Sequence, residues 1–159
     1  MTTNNARQKK TGFTLIEVFI AIAIMLLIIS IPTYIFQNTN KKQSLEKAVS
    51  QVVSIINGAK SLAISSKEFS DYGVKINSDS IISFTGSVYN QSDSQNVSYA
   101  LDSSVTITNI NILGSTGTIS FQKIKGSTLN TGSFKIQLKD NPTSYKTITI
   151  YPTGLLEVN

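Results

Sequence analysis

The sequence predicts an α+β chain in which one long N-terminal helix packs on a C-terminal antiparallel β-sheet. Three observations lead there. Residues 18–40 contain no Lys, Arg, Asp or Glu. Apolar residues then recur at steps of three and four from Leu45 to Ala63. After Ser66 the chain breaks into short Ser/Thr/Ile/Val-rich segments punctuated by Gly, Asn and Asp, the pattern of strands and turns.

Residues 1–12, MTTNNARQKKTG, are polar and basic, without hydrophobic periodicity. Residues 13–36 follow, FTLIEVFIAIAIMLLIISIPTYIF, and their only charge is Glu17. As a helix, Thr14 to Ile35 would be about 33 Å long, enough for a bilayer core of about 30 Å. The basic residues just before it, Arg7, Lys9 and Lys10, predict an N-terminus held in the cytoplasm and an exported remainder. A cleaved secretory signal would have a shorter apolar core and a small-residue cleavage site. Neither is present, because the run ends in Pro32-Thr33-Tyr34-Ile35-Phe36.

The amphipathic stripe is Leu45, Val49, Val52, Ile56, Ala59 and Ala63, reinforced by Val53, Ile55 and Leu62. No stop signal separates it from the apolar run, so a single helix from about Phe13 to about Ser65 is expected. Pro32 should kink it, since proline removes a backbone donor and crowds the preceding turn. Asn57-Gly58 is a second weak point. The expected division is thus 1–12, a 13–36 membrane or assembly part, a 37–66 amphipathic part, and a 67–159 β-rich domain.

Within that last part, alternation is clean in Phe134-Ile136-Leu138 and in Ile148-Ile150. Val105-Ile107 and Ile119-Phe121 behave similarly, while Tyr72–Asn77, Ile81–Thr85 and Val97–Leu101 are weaker. One antiparallel sheet of about six or seven strands is expected, its apolar face on the helix stripe. Residues 87–96, SVYNQSDSQN, read as an exposed loop.

Composition excludes several classes. There is no Cys and no His, so thiol chemistry, disulfides and the usual zinc sites are ruled out. The charge of +5 comes largely from the first twelve residues, since residues 66–159 carry seven Lys and seven acidic groups. The carboxylates Asp71, Asp79, Asp93, Asp102 and Asp140 are scattered through turns. No nucleophile-elbow pattern surrounds the serines. The expectation is a protein that is not an enzyme and uses no cofactor or metal.

The string Lys9-Lys10-Thr11-Gly12-Phe13-Thr14-Leu15-Ile16-Glu17-Val18 resembles the leader and N-terminal signature of type IV pilins and type II secretion pseudopilins. The resemblance implies that residues 1–12 are a prepilin leader, cut after Gly12 by prepilin peptidase, and that Phe13 becomes a methylated N-terminus. It implies that Glu17 serves filament assembly by pairing with the terminal amine of a neighbouring subunit. Physical reasons accompany each part. Glycine lets backbone approach a peptidase closely, and a carboxylate in an apolar helix costs up to about 3 kcal/mol at mid-bilayer. The bland alternative for Glu17 is a carboxyl favoured by the helix dipole near the helix start.

Further on, Ile119-Ser120-Phe121 before Gly126, the alternating Gly132–Leu138, and Thr149-Ile150-Tyr151-Pro152-Thr153-Gly154 before a short apolar strand resemble the GspH/FimT group of minor pilins. That implies a pilin-like fold and partners among other pilin subunits and the inner-membrane assembly platform, with membrane lipid around the helix before assembly. It implies a single pass through the cytoplasmic membrane and an extracytoplasmic domain. Some members bind DNA through an Arg-containing C-terminal segment, but Gly154–Asn159 here has no Arg and one Glu. Nucleic acid would then depend on Lys123, Lys125, Lys135, Lys139 and Lys146 gathering into a weak patch. The competing reading is that these lysines keep sheet edges soluble and unpaired. A plain membrane-anchored β-domain is the remaining alternative.

Overall fold

The structure, a computed structural model, describes residues 12–65 and 67–159, with the side chains of 30–40 and of Lys67 outside that description. Arg7, Lys9, Lys10, Thr11 and Ser66, and the kink expected at Pro32, therefore lie outside the described residues. Helix α1 runs Leu15–Ile64. Among the described residues eight strands follow: β1 Tyr72–Ile76, β2 Ser80–Thr85, β3 Val97–Ala100, β4 Val105–Ile112, β5 Thr118–Phe121, β6 Gly132–Leu138, β7 Tyr145–Ile150 and β8 Leu156–Val158. The chain divides into two compact units, Met1–Thr39 and Asn40–Asn159.

In the first unit the helix begins where the Thr14 carbonyl accepts from the backbone N–H of Glu17 (3.1 Å) and of Val18 (3.2 Å). Glu17 sits in the first turn, where a negative charge complements the helix dipole. From Leu15 to Ile29 the described side chains are exposed on every face of the helix. Among the described residues no helix is long and apolar enough to cross a membrane. The run with described side chains stops at Ile29, short of the roughly 18 residues a span requires, and the rest of the expected span falls on residues 30–36.

In the second unit the stripe read from the sequence is the buried face of α1. Leu45, Val49, Val52, Ile56, Ala59 and Ala63 are buried, and Ala48 joins them. Polar residues Lys42, Glu46, Lys47 and Ser50 take the opposite face. The helix passes through Gly58, which has open space where a side chain would be. Its end is closed by Ser65 N–H on the Ser61 carbonyl (2.9 Å) and by Ile124 N–H on the Ala63 carbonyl (2.8 Å). Two of the carbonyls that a helix end leaves unpaired are thereby satisfied.

The single sheet expected from the sequence is instead two four-stranded antiparallel sheets, with eight strands in place of six or seven. Sheet A has the order β3-β2-β1-β5 and sheet B the order β4-β6-β7-β8. The chain leaves sheet A after β3, contributes β4 to sheet B, and returns with β5 beside β1, pairing Tyr72 with Phe121. Alternation tells a strand which side faces the core, but it carries no information on which strand is the neighbour. Both inner faces meet the helix stripe in one core: Val74, Ile76, Ile81, Ile119 and Phe121 from sheet A, and Ile107, Phe134, Ile136, Ile148 and Ile150 from sheet B. Each such side chain, fully buried, contributes about 1.5–3 kcal/mol relative to exposure. This packing lets a domain without disulfides hold together.

Residues 87–96 form the expected exposed loop, built on short turns: Ser92 N–H donates to Asn90 Oδ1 (3.1 Å) and Gln95 N–H to Asp93 Oδ1 (2.9 Å). In β4 the register with β6 shifts between Thr108 and Asn111. Asn109 has positive φ there, a conformation asparagine tolerates better than its neighbours would.

Candidate functional site

Gly12 and Phe13 precede the first helical turn and are exposed. Among the described residues nothing lies within 4 Å of where a β-carbon on Gly12 would be. Phe13 is 84% exposed and Leu15 78%. Four residues on from Phe13, Glu17 shares one helix face with Ala21 and Met25, and the adjacent Val18 and Ile22 complete an open groove along it. The spacing i, i+4, i+8, i+12 from Phe13 to Met25 puts the carboxylate in the middle of an apolar strip. Among the described residues the Glu17 carboxylate makes no hydrogen bond or ion pair.

A helix that is apolar all round must be covered by lipid or by other protein. The Glu17 face adds a constraint, since a carboxylate in an apolar setting is costly unless it is paired or neutralised. Ala21 and Met25 were not singled out from the sequence, although their four-residue spacing from Glu17 was there to be read.

The five lysines considered for a nucleic-acid patch do not come together. Lys123 lies by the C-terminal end of α1, where its ammonium donates to the Phe69 carbonyl (3.2 Å) and its N–H to an Asp71 carboxylate oxygen (2.8 Å). Lys125 is two residues away. Lys139 lies at the other end, with its N–H on the Ser104 carbonyl and beside Asp140, which pairs with Lys41 at 3.0 Å. From Lys41 to Ala63 is about 33 Å of helix. Lys135 is on the outer face of sheet B, its ammonium 4.2 Å from the Tyr145 ring centroid. Lys146 pairs with Ile136, whose side chain is in the core, so it belongs to the opposite face of that sheet.

The C-terminal segment is likewise occupied structurally. Gly154 accepts from Lys60 Nζ (3.0 Å), β8 pairs with β7, and the Glu157 carboxylate accepts from the Tyr151 hydroxyl.

Comparison with known proteins agrees with both halves of this description. The family model of the prokaryotic N-terminal methylation motif matches residues 7–31. No curated protein matches the chain in sequence. Two crystal forms of the type IV minor pilin FimU of Pseudomonas aeruginosa are similar in structure. One has a TM-score of 0.55 at 12% identity, covering 72% of this chain and 92% of that one. The other has a TM-score of 0.57 at 13% identity, covering 78% and 92%. At such identities the likeness is one of fold. The chain thus joins a prokaryotic N-terminal methylation motif to an α+β fold similar to that of a type IV minor pilin.

Proposed function

We propose that this chain is a minor structural subunit of a type IV pilus or a type II secretion pseudopilus. The observation that carries the reading is Glu17, whose carboxylate has no partner among the described residues, on a helix segment apolar on all sides, five residues into a chain that would begin at Phe13. In this reading residues 1–12 are a leader removed by prepilin peptidase, and Phe13 is the methylated N-terminus. Residues 13–36 hold the subunit in the cytoplasmic membrane as a single pass, with residues 37–159 outside. An assembly platform then moves the helix from lipid into a bundle with other subunits. Glu17 meets a neighbour's terminal amine there, which supplies the missing cation and sets the register. Pro32 lets the helix bend during that transfer.

The DNA-binding alternative is not favoured, because the lysines it needs lie at opposite ends and on opposite faces of the second unit.

The test is the N-terminal residue and mass of the protein purified from membranes of a cell with active prepilin peptidase, beside a Gly12→Ala variant. The expected wild-type chain starts at methylated Phe13, and the variant stays uncut. A chain that keeps residues 1–12 in both cases would overturn the reading and leave a plain membrane-anchored β-domain.

A further inference from the structure

The second unit carries a polar cavity of about 360 Å³ on the outer face of sheet A, within the size range of small-ligand sites. Val74 and Ile76 point into the core, so alternation along β1 turns Lys75 outward into this cavity. Its other walls are the loop at Ser87–Tyr89 and the turn at Gly114–Thr116. Both walls are held in place. Tyr89 packs edge-on against Phe84 with ring centroids 5.5 Å apart. Asn130 Oδ1 accepts from Ser120 N–H (3.2 Å), and Ser115 Oγ both accepts from Thr118 N–H (2.9 Å) and donates to the Thr118 carbonyl (2.6 Å).

The charge of the cavity is one-sided. The Lys75 ammonium donates to the carbonyl and to the hydroxyl of Thr116, the latter at 3.3 Å. Among the described residues it has no carboxylate partner, and no acidic side chain lines the cavity. Ser87 and Tyr89 line it, and their hydroxyls have no hydrogen-bond partner among the described residues. A half-buried cation that lines one cavity with two residues bearing unpaired hydroxyls suits a compact oxyanion, for which charge-assisted hydrogen bonds are the strong ones.

We propose that this cavity binds a phosphate-type oxyanion, either the free ion or one carried on a sugar. The site is independent of the filament reading, since none of its residues belongs to α1. Lys75 supplies the charge and Ser87 and Tyr89 donate to the remaining oxygens. The uncharged wall at Gly114 leaves room for a hydroxylated body of one-sugar size.

The experiment is calorimetric titration of the full chain in detergent micelles with glucose 6-phosphate, inorganic phosphate and glucose. Saturable binding of glucose 6-phosphate or phosphate, without binding of glucose, is expected. Lys75→Gln should weaken it about tenfold or more, the scale of one charged hydrogen bond. Lys41→Gln, which removes a lysine charge elsewhere, should leave it unchanged. Tyr89→Phe, which deletes one hydroxyl and keeps the ring on Phe84, should weaken it severalfold and serves if Lys75→Gln does not fold. Tighter binding of glucose 6-phosphate than of phosphate assigns the sugar-borne source, and equal binding assigns the free ion. No saturable binding of either, or binding that is indifferent to both Lys75→Gln and Tyr89→Phe, overturns the proposal.

Discussion

The ring of Phe84 fills the space that a β-carbon on Gly73 would need. The two residues pair across β1 and β2, and Phe84 lies on the face of sheet A turned away from the main core, covered by Tyr89. A β-carbon built on Gly73 would collide with the Phe84 ring and would stand 2.5 Å from the Ile119 carbonyl oxygen. Glycine here is a matter of space, because its backbone is not in the left-handed region.

Gly73→Ala should therefore destabilise the second unit by about 1–3 kcal/mol, the usual range for overpacking. Shrinking the ring with Phe84→Leu in the same chain should recover only part of the loss, since the Ile119 carbonyl belongs to the backbone of β5 and cannot step aside. Denaturant unfolding of the single and double variants checks this. A Gly73→Ala chain as stable as the parent would mean that β1 and β5 are not packed as described.

That pair also marks where the sequence stopped being informative. The helix stripe from Leu45 to Ala63 and the strands β6 and β7 were legible because one face is buried and the other wet, so the period is visible. In β2, Ile81 is buried towards the helix and Phe84 away from it, which breaks the alternation and weakened the sequence signal for that strand. Pairing of β1 with β5 joins residues more than forty positions apart, and nothing local announces it. The string from Gly12 to Glu17 was readable because its spacing is local. The lysines from Lys123 to Lys146 look clustered only along the chain, and the fold sends them to different ends and faces. The oxyanion cavity was invisible for the same reason, since Lys75, Tyr89 and Asn130 come from three separate segments.

Asp102 should give the domain a small acid-sensitive contribution. Its carboxylate accepts from the Ser104 hydroxyl (2.6 Å) and the Ser104 N–H (2.9 Å). These bonds, with smaller help from Lys47 and Lys139, hold its pKa below the ordinary 3.8. A lowered folded pKa means that the stabilisation is complete above the unfolded value and is lost as pH falls through the folded one. Asp102→Asn should thus be slightly less stable than the parent at pH 7, and the two should converge in acid once the carboxylate is protonated in both states. The effect is small because the group is exposed and screened. Unfolding midpoints at neutral pH and well below pH 3.8 measure it, and a gap that persists in acid would assign the loss to turn geometry instead of charge.

Tyr151 should behave in the opposite sense at the alkaline end. Its hydroxyl donates to the Glu157 carboxylate, and that bond, followed by the repulsion between the two anions, raises its pKa above the usual 10.0. The bond ties β8 to the end of β7. Its contribution is complete below the ordinary tyrosine range and is lost as pH rises through the raised value. Among the six tyrosines, spectrophotometric titration of the phenolates should resolve a late component that Glu157→Gln moves back towards the ordinary range. A titration curve unaltered by Glu157→Gln would mean that β8 is not held against Tyr151 in solution.

Glu17 gives the sharpest test of assembly. Glutamine in its place keeps the size and the helix but removes the charge, so it separates a structural role in the first turn from a role in meeting another subunit. If the carboxylate serves only the helix start, Glu17→Gln should change little, because a first-turn charge contributes only about 0.3–1 kcal/mol. If it meets a neighbour's terminal amine inside a packed bundle, the variant leaves that cation buried and unpaired, a loss of about 3–5 kcal/mol at each contact. The expectation is the second outcome. In the proposed reading, leader removal after Gly12 should proceed as in the parent, since Gly12 and Phe13 are untouched. The processed chain should accumulate in the membrane while its share in sheared filaments falls at least tenfold. Quantitative immunoblotting of membrane and filament fractions reads both numbers from one culture. Parent-like incorporation of Glu17→Gln would remove Glu17 from the assembly interface and return it to the bland role of a helix-start carboxylate.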